Sequence, residues 1–295
     1  MAASKFITPP PLSERISKEE EFFSKDFYLS YSGLNKLLFS PALFYNHYVL
    51  KQRDDSYDQN MVEGSLIHCL LLEKGSFDDK FLISPADTPS DSQRDILDAL
   101  YLHYKELRRE GDARENLDEF TGAILDYLED RNLYQSMKPE TRLAKMINDT
   151  TEAYWQYLKK AEGKTIIDQE TYDFAKSVVE KITSNAIVME TMGFFGDEMN
   201  GISCTNEVEL LMEPSASEYP FGFRGFIDNL VIDKENKTIR INDLKKTSKT
   251  VSSFPDTIEY FNYWAQAALY TVLIEDAFLS IPIYNGWTTE FRFIV

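Results

Sequence analysis

The stretch from Gly222 to Thr247 constrains this chain more than any other. It reads Gly-Phe-Arg-Gly-Phe-Ile-Asp228-Asn-Leu-Val-Ile-Asp233, then Lys-Glu-Asn-Lys237, then Thr-Ile-Arg-Ile-Asn-Asp243-Leu-Lys245-Lys-Thr247. Under strand alternation Phe226, Leu230 and Ile232 share a face with Asp228, while Ile227 and Val231 lie opposite with Asn229. Both faces are largely apolar, as in a buried strand. The polar run 233–236 suits a turn, and residues 238–241 resume the β-rich pattern. The segment therefore predicts a hairpin with one carboxylate on each strand, Asp228 and Asp243. Lys245 lies one strand period beyond Asp243 and points to the same face. Paired carboxylates hold a hard divalent cation through oxygen. An ammonium beside them can polarise a phosphate or orient a water without competing for the metal. An isolated Asp-x-Lys is more often a solvated strand end, so this reading needs independent partners elsewhere in the chain.

Composition narrows the classes those partners can belong to. A chain of 295 residues with 43% hydrophobic and 14% aromatic content buries a proper core, as one large domain or two small ones. A net charge of −18 argues against a protein that coats nucleic acid with its whole surface. Residues 234–250 nevertheless carry Lys234, Lys237, Arg240, Lys245, Lys246 and Lys249 against Glu235 and Asp243, a local excess of +4. Cys69 and Cys204 form neither a disulfide framework nor a cysteine metal set, which suits a reducing compartment. With no long apolar run and no signal-peptide core at the N-terminus, the expectation is a soluble, cytoplasmic protein with no membrane partner.

Along the chain, residues 1–27 read as a flexible leader. Ser30 or Ser32 caps a helix bearing Leu34, Leu37 and Leu38, and Ser40-Pro41 opens a second. Residues 61–74 form an apolar helix on which Gly64 and His68, four apart, share a face. The glycine would let another backbone approach, and the histidine could reach a metal, although a lone histidine on an apolar helix is more often a core group. Charged amphipathic helices fill most of 85–195. Gly163-Lys-Thr lacks the upstream glycine of a phosphate loop. Residues 204–212 return to strand character, with Glu207 and Glu209 on one face. After Ser252-Ser-Phe-Pro255, a long helix spans 256–278. Its buried stripe is Ile258, Phe261, Ala265, Leu269, Val272 and Leu273, with Gln266 and Tyr270 on an adjoining face and Tyr263 three residues earlier. An alternating strand closes the chain over 286–295.

These motifs in this order resemble the PD-(D/E)XK nuclease superfamily, in its RecB/RecE-like exonuclease branch: Gly64-x-x-x-His68, Gly225-x-x-Asp228, Asp243-x-Lys245-Lys-Thr and Gln266-x-x-x-Tyr270. The resemblance covers roughly 28–80 and 165–295. It implies an α/β (α+β) fold with a central mixed sheet flanked by helices. Residues 28–295 would make a single nuclease domain, with a helical insertion at 85–165 and the catalytic core at 200–295. It also implies Mg²⁺ or Mn²⁺ held by Asp228, Asp243, His68 and the backbone carbonyl of Leu244, with Lys245 placing water or phosphate. The third acid would be Glu207, with Glu209 an open alternative. Gln266, Tyr270, Lys246, Lys249 and Arg224 would contact DNA. The implied activity is metal-dependent digestion of double-stranded DNA ends in phage recombination or DNA metabolism, alongside a single-strand annealing protein and in a homo-oligomeric ring. A structure-specific endonuclease of the same fold and a non-catalytic DNA-binding module are the alternatives.

Overall fold

The computed structural model describes residues 11–52, 58–109, 111, 114–195, 201–214 and 219–295. The chain divides into two compact units, one made of residues 1–74 with 177–295 and the other of residues 75–176. In chain order the first unit begins with α1 (Leu12–Phe23), β1 (Tyr28–Leu29), α2 (Tyr31–Phe39), α3 (Pro41–Phe44) and α4 (Gln59–Leu72). The second unit holds α5 (Phe77–Lys80), β2 (Phe81–Ile83), α6 (Asp91–Arg109), α7 (Thr121–Asp130), α8 (Pro139–Met146), α9 (Asp149–Ala161) and β3 (Thr165–Ile167). The boundary falls within α10 (Gln169–Ser184). The first unit then resumes with α11 (Ala186–Thr191), β4 (Ile202–Met212), β5 (Gly222–Asp233) and β6 (Thr238–Leu244), and ends with α12 (Phe254–Tyr260), α13 (Tyr263–Ile274) and β7 (Thr288–Ile294).

The second unit is built around an aromatic core. Helix α6 presents Ile96, Leu97, Leu100 and Tyr104 at three- and four-residue steps to Leu117, Phe120, Ile124, Leu128 and Trp155, all buried. The Trp155 indole nitrogen donates to the Glu115 carbonyl at 3.1 Å, so this large side chain is buried without an unmet donor. The helical insertion expected at 85–165 lies inside this unit, which extends on both sides of it to include the parallel pair β2–β3.

The first unit carries a five-stranded mixed sheet with β5 at its centre. Strand β4 runs antiparallel along nearly the whole of β5. On the other edge, β5 takes β1 in parallel at Gly222–Phe223 and β6 antiparallel from Asn229 to Asp233. β7 lies parallel outside β6. The β5–β6 turn closes as the polar run suggests, with the Asn236 amide donating to Asp233 Oδ1 at 2.9 Å and Lys237 left-handed at φ +52°. Ser30 caps α2, its hydroxyl accepting from the Gly33 amide.

Three sequence expectations need correction. Residues 12–23 of the expected leader form a helix, tied down where Lys18 Nζ donates to the Leu50 carbonyl at 3.1 Å; residues 1–10 lie outside the described residues. The single helix expected over 256–278 is interrupted at Asn262, which is left-handed at φ +54°. That break resets the helical phase. Ala265, Gln266, Leu269, Tyr270, Leu273 and Ile274 become the buried set, while Phe261 and Val272, expected inside, are exposed.

The third correction concerns strand alternation. Ile227 and Leu230 are three residues apart, yet both join the cluster of Leu269, Tyr270 and Leu273 under α13. Gly225 meets the same helix, since a Cβ there would fall 2.8 Å from Tyr270 and Leu273. Asn229 and Val231, of the same parity as Gly225, instead face Met192 and Gly193. The two faces of the sheet therefore change over between Ile227 and Asn229. On the neighbouring strand, in the row of Asp228, Glu207 has φ +53°. A left-handed residue inside a strand is uncommon outside glycine, and such backbone strain clusters at functional sites.

Candidate metal centre

The face change gathers the acids. Residues flanking Glu207 and Asp228 pair in register, Asn206 with Asn229 and Val208 with Ile227. On the other side of β5 the ladder with β6 stops at Asn229–Asn242. Beyond that point the Leu244 amide donates to Asp228 Oδ2 at 2.6 Å, so a carboxylate replaces a strand carbonyl. Glu207, Asp228 and Asp243 thus form one row across β4, β5 and β6, where β6 parts from β5 while still paired to β7.

Helix α4 brings His68 to this row. Its Nδ1 lies 3.7 Å from Glu207 Oε1, and its Nε2 lies 3.6 Å from Asp228 Oδ2 and 3.3 Å from the Leu244 carbonyl oxygen. Ligand atoms of His68, Glu207 and Asp228 all lie within 4.8 Å of one another. Asp243 is not in that compact group. Its Oδ2 is 2.6 Å from Lys245 Nζ, and its Oδ1 accepts from Gln266 Nε2 at 2.6 Å. Lys245 Nζ also sits 4.8 Å above the Tyr263 ring.

The electrostatics are those of buried acids crowded together. Burial first, and then the charge of Asp243, pushes the Asp228 carboxyl up to about 7. Burial also raises Asp243, against the pull of Lys245. For His68, burial works against the charged ring, but the Glu207 contact, the Asp228 charge and the Leu244 carbonyl outweigh it and hold the imidazole above its usual value. Glu207 Oε1 is buried with no hydrogen-bond partner among the described residues. Raised carboxyls, a buried carboxylate oxygen without a hydrogen bond and an imidazole within ligand reach fit a hard divalent cation, which would supply positive charge among the acids.

The other expected site residues are placed as follows. Glu207, not Glu209, joins the row; Glu209 is exposed opposite Phe226. Gln266 and Tyr270 were expected to contact DNA, but they are buried at 4% and 7% exposure. Gln266 spends its amide on Asp243, and Tyr270 packs over Gly225, its phenol pushed up to about 12 by burial. Lys246, another expected DNA contact, is drawn to Glu63 and Asn60 of α4. Arg224 and Lys249 are exposed. The basic strip is partly neutralised within the fold, since Arg240 donates to the Thr191 carbonyl and faces Glu290. Gly64 admits no close neighbour, as nothing lies within 4 Å of a Cβ placed there.

Sequence reasoning missed a second row beside the acids. Asn206, Asn229 and Asn242 cross the same three strands one residue away. Asn242 Nδ2 donates to Asn229 Oδ1 at 2.7 Å, and Asn229 Nδ2 donates to Asn206 Oδ1 at 2.8 Å. The Asn206 amide continues to the Leu72 carbonyl at the end of α4. A buried, bonded amide ladder of this kind fixes the register of the strands that present the acids.

A row of acids on a mixed sheet flanked by helices is compatible with a nuclease-type core. The sequence profile of the PD-(D/E)XK nuclease superfamily matches residues 28–283, and the chain belongs to that superfamily. No curated protein matches it. Among solved structures it is similar to a provisionally assigned exonuclease from Eubacterium rectale, at 10% identity and a TM-score of 0.41, over 97% of this chain and 72% of that one. Among the described residues no helix is long and apolar enough to cross a membrane.

Proposed function

We propose that this chain is a divalent-metal-dependent deoxyribonuclease of the RecB/RecE-like type, hydrolysing phosphodiester bonds from the ends of double-stranded DNA. The observation that carries the proposal is the row Glu207–Asp228–Asp243 with Lys245 Nζ 2.6 Å from Asp243 and His68 closing the other side. The residues that would hold Mg²⁺ or Mn²⁺ are His68, Glu207 and Asp228, joined by Asp243 and the Leu244 carbonyl. Bound there, the ion lowers the pKa of a water and offsets charge building on the phosphate oxygens. Lys245, held between Asp243 and the Tyr263 ring, donates to a scissile phosphate oxygen or aligns the attacking water. Gln266 acts indirectly, by fixing the rotamer of Asp243.

Action on DNA ends is supported by the order Gly-x-x-x-His, Gly-x-x-Asp, Asp-x-Lys, Gln-x-x-x-Tyr, which resembles the RecE-like exonucleases. The same kinship supports a role in phage recombination or DNA metabolism in the host cytoplasm, a single-strand annealing protein as partner and a homo-oligomeric ring. The exposed Arg224 and Lys249 are the DNA-backbone contacts of this reading.

The test compares end-labelled linear duplex with covalently closed circular DNA, in Mg²⁺, in Mn²⁺ and in EDTA. Nucleotide release is expected from linear duplex alone, dependent on the metal, and lost in Asp243→Ala and Lys245→Ala variants whose circular dichroism is unchanged. Equal cutting of the closed circle would favour an endonuclease. Full activity in either variant, or no release with either metal, would overturn the proposal.

A further inference from the structure

Four large aromatic residues fall within five positions where the C-terminal helix breaks: Tyr260, Phe261, Tyr263 and Trp264. The residue between them, Asn262, is left-handed, a conformation that few non-glycine residues adopt. The fold holds it there deliberately. Asn262 Nδ2 donates to Asn35 Oδ1 at 2.9 Å, and the Tyr31 hydroxyl donates to the Phe261 carbonyl at 2.5 Å. Without this break Phe261 would follow the buried stripe of a continuous helix.

The break arranges the rings into a path. The Phe261 ring stacks on Tyr263 with centroids 5.5 Å apart and planes 22° apart, and Tyr260 stands edge-on to Phe261 at 4.8 Å. At the inner end the Tyr263 ring lies under Lys245 Nζ. At the outer end the rings reach solvent, with Tyr260 79% exposed, Phe261 43% and the adjacent Trp264 50%. Three exposed aromatics on one short segment are a poor use of apolar surface unless something covers them.

We infer that Tyr260 and Phe261 form a stacking platform for unpaired nucleobases of the DNA strand whose phosphate is held at Lys245. The inference rests on the nuclease reading and adds a subsite to it. Two observations select nucleobases as the occupant. The rings are continuous with the lysine of the candidate site, and the connection between β6 and α12 carries the exposed cation Lys249. Cations that follow the backbone beside aromatic faces that take the bases are how single strands are bound with little regard to sequence. Such a platform would hold the end of a strand frayed from its complement.

The experiment uses the full chain in EDTA and measures binding of a fluorescein-labelled oligothymidylate against an abasic phosphodiester of the same length and charge. The wild type is expected to prefer the thymidylate roughly tenfold. Tyr260→Ala and Phe261→Ala should weaken thymidylate binding alone and collapse the preference to about twofold or less, and Tyr260→Phe should restore it. Equal binding of both oligomers by the wild type, or full preference retained in Tyr260→Ala, overturns the platform. If the wild type still releases nucleotides from duplex with Mg²⁺, the nuclease reading survives that failure. Absence of nucleotide release is the failure of the nuclease reading instead. A Tyr260→Ala variant that changes sedimentation but keeps the base preference assigns the patch to a second copy of this chain and also overturns the platform.

Discussion

Replacing Asp228 by asparagine should make the metal-free protein more stable while removing its response to metal. Asp228 is nearly enclosed, its carboxyl is raised to about 7, and the causes are burial and the facing charge of Asp243. The unfolded chain holds the same group at about 3.8. A raised carboxyl means that the folded state binds more protons than the unfolded state between those two pH values. The contribution of Asp228 to stability is therefore greatest below pH 4 and declines as pH rises toward 7, where its loss is complete. At about 1.4 kcal/mol per pH unit, the cost of the ionised Asp228 at pH 8 is about 4 kcal/mol. Asparagine cannot ionise, and its side-chain oxygen can still accept from the Leu244 amide, as Asp228 Oδ2 does now at 2.6 Å. Against this, the neutral amide is a weaker acceptor than a carboxylate by about 1 kcal/mol, and its NH₂ must find a partner near His68.

The net expectation is a gain of about 1–3 kcal/mol at pH 8 in EDTA, or several degrees in melting temperature. The gain should shrink toward zero at pH 4. Saturating Mg²⁺ reverses the order, because an ion at about 100 times its dissociation constant stabilises the wild type by about 2.7 kcal/mol and the variant has lost a ligand. Thermal melts followed by circular dichroism, at pH 4 and 8 and with or without Mg²⁺, measure all four corners. An Asp228→Asn protein that melts below the wild type at pH 8 in EDTA would refute the reasoning. So would a difference that is the same at both pH values, because the raised carboxyl would then not be what limits stability.

Further expectations follow from the packing and the donor set. Gly225→Ala places a methyl 2.8 Å from Tyr270 and Leu273 and should cost about 1–3 kcal/mol, whereas Gly64→Ala meets nothing and should gain up to about 1 kcal/mol of helix propensity; urea unfolding reads both. Asn229→Leu leaves Asn206 Oδ1 and the Met192 carbonyl without their donor inside the sheet and should cost about 3 kcal/mol, again by urea unfolding. Glu207→Gln should weaken Mn²⁺ binding at least about tenfold in calorimetric titration, with Glu209→Gln unaffected; equal weakening in both would show that Glu207 is not the distinct third acid.

The hairpin of Asp228 and Asp243 was legible because apolar β-formers bound both strands and a polar run joined them. His68 was legible as a helix partner through its four-residue spacing from Gly64, although the close backbone approach expected at Gly64 is absent. The choice between Glu207 and Glu209 was not legible, because a strict two-residue period places both on one face. The register separates them, with Glu207 in the row of Asp228 and Glu209 opposite Phe226, and Glu207 is also left-handed, a conformation of which glutamate carries no sign. Asn262 did carry such a sign, since asparagine tolerates the left-handed region, yet the strong helical pattern on either side hid it. Gln266 and Tyr270 lie on the buried face of the helix that begins after this break, beside Ala265, Leu269 and Leu273.

A further pattern lay in plain view in the residues beside the acids. The pairs are Asn206-Glu207 on β4, Asp228-Asn229 on β5 and Asn242-Asp243 on β6. The order reverses on the middle strand, as it must when the middle strand runs antiparallel to both neighbours. Each asparagine then falls in one row and each acid in the next, and the first row bonds amide to amide across the sheet. Carboxylates forced together repel, and a sheet relieves that repulsion most easily by sliding one strand along another. Sliding β5 by a single residue would break both amide bonds of the ladder and leave their buried groups unmet, a cost of several kcal/mol that opposes the slip. The asparagine row is therefore the structural counterweight that holds the acid row in register.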